Sequence, residues 1–149
     1  MEKVIFKITA FTILFAASLS SCKKGSDNNL DPNTKLLIQQ DWKLSKIEEK
    51  INADPYTDHF PSLPPCTQDD KYLFKTDNTY QLNEGNTKCS ASDPDIISTG
   101  TWQFTSNETK IKIDANEFAI DQLDNNTLII SRNYFSNPDT EYYRYTFVH

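Results

Sequence analysis

Few residues in this chain could do chemistry, and their spacing limits what that chemistry could be. Cys22, Cys66 and Cys89 are the only thiols, and His59 and His149 the only imidazoles. A zinc site takes about four ligands, and two distant Cys with these two His do not suggest one. A cysteine nucleophile needs a His base and an orienting group, and nothing marks His59 for that role. Asp69 and Asp70 are adjacent, so on a strand they point to opposite faces and make a poor acid–base pair. Their expected role is structural, with one of them accepting backbone N–H bonds at a strand entrance. No G-x-S-x-G, H-E-x-x-H, P-loop or dinucleotide fingerprint is present. No catalytic residue, metal or cofactor is assigned, and the chain is not read as an enzyme.

Charge and length narrow the class further. The 149 residues hold 21 acids against 15 Lys and Arg, a net charge of -6. Nucleic acid is excluded as a partner, because its phosphates require a basic surface. The length suits one domain. The hydrophobic fraction is 37%, with 2 Trp, 7 Tyr and 9 Phe, which is not a disordered composition.

Residues 1–21 read as an address. Lys3 and Lys7 precede an uncharged run from Ile8 to Leu19. Twelve helical residues rise about 18 Å, too little for a hydrocarbon core of roughly 30 Å. A signal-peptide core fits better than a membrane span. The segment closes on Leu19-Ser20-Ser21-Cys22. This resembles the lipobox of bacterial lipoproteins, which implies cleavage before Cys22 and lipidation of its thiol. Several acyl chains exceed the single-chain threshold for stable anchoring. The expected location is the cell envelope of a Gram-negative bacterium. Lys23 is not the Asp of an inner-membrane retention signal, which favours the outer membrane. Residues 22–33 carry little to bury and read as a flexible tether.

With Cys22 lipidated, Cys66 and Cys89 remain, in a compartment that permits disulfides. One Cys66–Cys89 bridge is expected, closing a loop of about two dozen residues and contributing roughly 3 kcal/mol.

The domain, 34–149, must position everything else. Thr34 to Gln40 suggests a short helix. Eight strands follow at 42–51, 71–76, 79–83, 98–105, 109–114, 117–123, 127–134 and 141–148. All the prolines fall outside them. The first strand breaks its alternation before Ile47. Residues 52–66, with four of the prolines and Tyr56, His59 and Phe60, are expected to pack as a lid over a barrel end. The expected fold is all-β: an eight-stranded antiparallel meander closing into a small barrel, which removes its sheet edges.

From Trp42 onward, four motifs recur in order: Trp42-Lys43-Leu44; Cys66 with Asp69, Asp70, Tyr72 and Phe74; Tyr80 with Gly85 and Cys89; and Gly100-Thr101-Trp102. In this order they resemble the lipocalin-like domain of Gram-negative envelope lipoproteins. The resemblance implies a small hydrophobic ligand inside the barrel. It also implies an Arg stacked over the first-strand Trp, for which Arg144 and Arg132 are both candidates.

Inward positions carry the candidate ligand site: Tyr72, Phe74, Tyr80, Trp102, Phe104, Phe118 and Tyr145. Such side chains can fill a small barrel completely, and the aromatic load favours a filled core. The Tyr hydroxyls pull the other way, since each needs a partner or water. The leading expectation is a membrane-anchored lipoprotein that binds a small apolar or amphipathic ligand. The alternative is a solid barrel whose loops 52–66 and 84–97 dock an envelope protein.

Overall fold

The computed structural model describes residues 30–149. The expected signal peptide, Cys22 and most of the expected tether lie outside the described residues. Helix α1 spans Pro32–Ile38, beginning two residues before its expected start and taking Pro32 and Asn33 from the tether. Proline suits the first helical turn, where its missing N–H has no partner to lose. Leu37 is fully buried, and the Trp42 indole N–H donates to the Leu37 carbonyl at 2.8 Å. The helix therefore plugs one end of the barrel.

The strands are β1 (Trp42–Ile51), β2 (Thr57–Asp58), β3 (Lys71–Phe74), β4 (Thr79–Asn83), β5 (Ile96–Thr105), β6 (Lys110–Ile113), β7 (Asn116–Leu123), β8 (Thr127–Ser136) and β9 (Asp139–Val148). All pairings are antiparallel. Eight strands run β1-β3-β4-β5-β6-β7-β8-β9, and β9 returns to pair with β1, closing the barrel. The expected meander is thus the observed one, with β5, β8 and β9 extended by about two residues each. The extra β2 pairs with Glu48 and Glu49 of β1.

The break in the first strand is a bulge between Leu44 and Lys46. One extra residue restores the inward face, so Leu44 opposes Phe147 and Ile47 opposes Tyr145. Without it, Ile47 would face solvent. Turns follow their local chemistry. Asn78 takes a left-handed φ of 65° between β3 and β4, and the Asp77 carboxylate accepts the Thr79 N–H at 3.0 Å.

The 52–66 segment is not a lid over a barrel end. Its contacts run along β1: Tyr56 sits with its ring under Lys50 and Arg144, and His59 Nε2 lies 3.2 Å from Glu49. The reason is the short seam between β1 and β3, which pair at only two positions. The free edge of β1 beyond them takes β2 as its partner.

The core is densest at the plugged end. Trp42 and Ile111 are buried there with Leu37, and Leu128 and Ile130 are buried between it and the opposite end. Trp102 packs edge-on against Phe74 at 5.9 Å and Phe104 at 5.5 Å.

Candidate functional site: the barrel mouth

The plugged end gathers α1 and the turns at 75–78, 106–109 and 124–126. The opposite end is the mouth. There a cavity of about 260 Å³ enters the barrel, lined by Tyr72, Phe74, Tyr80, Phe118, Tyr145 and Phe147, with Ile113, Leu128 and Ile130 below and Asp114 and Asn116 at the rim. Two-residue periodicity places these side chains. Tyr72 and Phe74 alternate on β3, and Tyr145 and Phe147 on β9.

Five of the seven candidate residues share this cavity: Tyr72, Phe74, Tyr80, Phe118 and Tyr145. Trp102 and Phe104 do not. β5 runs from the mouth to the plug, so its last inward residues land at the closed end. Trp102 is 4% exposed, and its indole N–H donates to the Lys75 carbonyl at 3.1 Å. Phe104 lines a recess with Leu30, Asp31 and Thr34. The interior is therefore filled at one end and hollow at the other, not solid throughout.

Asp114 and Asn116 carry no sequence signal beyond turn composition. Tyr80 donates its hydroxyl to Asp114 Oδ2 at 2.7 Å, while Asp114 Oδ1 accepts the Thr101 N–H at 2.9 Å. Loss of solvent around Tyr80 and the adjacent carboxylate together push its phenol up to about 12. Gly100 makes this contact possible: a Cβ there would overlap the Asp114 carboxylate and the Tyr80 ring. Burial also raises the Tyr72 phenol, with Asp70 and Tyr145 adding to it.

The rim is polar. Tyr143 donates to Glu141 at 2.9 Å and lies 3.3 Å from Glu49, and its phenol is pushed up to about 12, chiefly by the Glu141 contact. Arg144 makes a two-pronged contact with Glu48 at 2.8 and 3.0 Å on the outer face. Neither Arg covers Trp42. Arg132 lies over Phe118 and Tyr134, and Arg144 over Tyr56. His149 does the covering instead, with ring centroids 3.8 Å apart. The final strand brings its terminal residue back beside the start of β1, where no Arg is available.

Asp69 and Asp70 are structural. Asp69 Oδ2 accepts the N–H groups of Asn86 and Thr87 at 2.8 and 3.1 Å, and Asp70 Oδ1 accepts that of Gly85 at 3.3 Å. Gly85 approaches so closely that a Cβ would overlap Asp69. The Cys66–Cys89 disulfide forms as expected and ties the same two loops together.

Closed antiparallel barrels with an apolar mouth often take small hydrophobic ligands. The family model for the lipocalin-like domain matches residues 38–130. The chain belongs to that family. No curated protein matches the chain. The match ends within β8, so the rest of β8 and all of β9, which close the barrel, lie beyond it.

Proposed function

We propose that this protein is an envelope lipoprotein, anchored through lipid on Cys22, whose barrel binds a small apolar or amphipathic molecule. One observation carries the binding reading: the cavity of about 260 Å³ at the mouth, walled by aromatic and aliphatic side chains. It falls just below the roughly 300–1,000 Å³ of drug-sized sites. The ligand is therefore small, or inserts only one end. The leader and Leu19-Ser20-Ser21-Cys22 support the anchor, and Lys23 after Cys22, in place of the Asp of an inner-membrane retention signal, supports an outer-membrane location.

The N-terminal chain joins the barrel at its plugged end, so the mouth opens on the opposite side.

Two measurements test this. Mass spectrometry of protein taken from its own membrane should find an acylated Cys22 and a co-purifying small molecule. Titration with the apolar fluorophore anilinonaphthalene sulfonate should saturate at one site. Ile130→Trp, which fills the cavity, should abolish that binding. Equal binding by the filled variant would mean that the mouth is not the site.

A further inference from the structure

Arg132 stands out among the cations of the barrel. On β8 it follows Ile130 on the inward face, yet no carboxylate lies within ion-pair distance of it among the described residues. Its Nη1 donates to Asn116 Oδ1 at 2.8 Å, while its Nε is buried without any hydrogen-bond partner. The guanidinium carbon lies over two rings, 4.9 Å from the centroid of Phe118 and 4.5 Å from that of Tyr134. The neighbouring carboxylates are engaged elsewhere. Glu49 and Glu141 meet Tyr143, and Glu117 meets Lys110 and Thr105.

A buried donor left unpaired is costly, and more so on a charged group. Sequence-local needs do not explain this one, because Asn116 occupies only one corner of the fork. Position does. The pairing of β7 with β8 stops at Ala119–Ser131. The strands part beyond it, so Phe118 and Arg132 flank a gap in the barrel wall. A second hollow of about 390 Å³ opens there, lined in part by Phe118, Ser131, Arg132 and Tyr143. Phe118 also lines the apolar mouth cavity. A single ring thus separates an apolar interior from an unneutralised, pre-oriented guanidinium.

We infer that Arg132 is an anion-recognition residue. It binds the carboxylate head of a single-chain amphiphile whose tail lies in the mouth cavity. The inference rests on the ligand-binding reading above and adds the head-group chemistry. A guanidinium offers a planar fork that matches a carboxylate, and the unused Nε–H is one of its two parallel donors. The two rings and the Asn116 bond hold the guanidinium in place in advance, so little freedom is lost on binding.

The test is calorimetric titration of the full chain with octanoate, octanol and octylammonium, three probes with one tail and different heads. Octanoate should bind at least about tenfold more tightly than octanol, the scale of one charge-assisted hydrogen bond, and octylammonium most weakly. Arg132→Gln should reduce octanoate to the octanol level and leave octanol unchanged. Arg132→Lys keeps the charge but not the fork and should fall between. In the wild-type protein, the Arg132 Nε–H resonance should shift with octanoate and not with octanol, a readout independent of whether the variants fold. Equal binding of octanoate and octanol, or a preference that survives Arg132→Gln, overturns the anion site while leaving the apolar cavity in place. Binding of none of the three overturns both.

Discussion

Tyr80 and Asp114 meet over Gly100 at the barrel mouth, phenol to carboxylate, at 2.7 Å. They come from strand β4 and from the turn after β6, so the bond ties two parts of the rim that do not pair as strands. Because it joins a mostly buried phenol to an exposed carboxylate, it stabilises by about 1 kcal/mol. Tyr80→Phe should lower stability by that amount in denaturant unfolding.

The same bond sets a pH dependence in alkali. The folded phenol is raised to about 12 from an ordinary value of 10.0. Its contribution is complete below 10 and is lost as pH rises toward 12. Absorbance titration should show Tyr80 ionising last with Tyr143, which is raised by Glu141 to a similar value. A Tyr80→Phe variant should lose one of these late transitions.

The Glu48–Arg144 pair works in the opposite direction. The Arg144 guanidinium holds the Glu48 carboxyl below its ordinary value of 4.5. A lowered carboxyl contributes above the unfolded value and loses that contribution as pH falls below 4.5 toward the folded value. Glu48→Gln should flatten the stability profile in this acid window. At neutral pH it should cost about 1 kcal/mol, since Arg144 remains about a third exposed. Tyr56, stacked on Arg144, should become more exposed in the variant.

His149 closes over Trp42, its ring N–H donating to the Asp41 carbonyl at 2.6 Å. Trp42 is fully buried, and its neighbours cannot replace that ring. His149→Ala should cost about 1 kcal/mol and shift Trp42 fluorescence to the red. An unchanged spectrum would mean that α1 alone shields the indole.

Replacing Cys66 and Cys89 with Ser removes a crosslink with a sequence separation of 23. The expected loss is roughly 3 kcal/mol, with the free-chain entropy as its main source. The Asp69 and Asp70 contacts hold the same loops, so the reduced protein should retain the barrel fold. Circular dichroism of the double variant would check this.

Residue order along each strand was enough to tell which side faces in. Alternation is a local property, and it marked Tyr72, Phe74, Tyr80, Phe118 and Tyr145 as inward before any pairing was known. It also marked the break before Ile47, which is the β1 bulge. Tertiary structure decided everything that depends on distance along the barrel axis. Trp102 and Phe104 face inward as expected, yet they sit at the plugged end, because register rather than periodicity sets depth. His149 covers Trp42 because β9 and β1 pair as far as Lys43 and Val148, which brings together residues 107 positions apart. Arg132 reads locally as an ordinary polar residue in a strand. Its isolation arises only where β7 and β8 part company, and no pattern within either strand announces where a partner will stop.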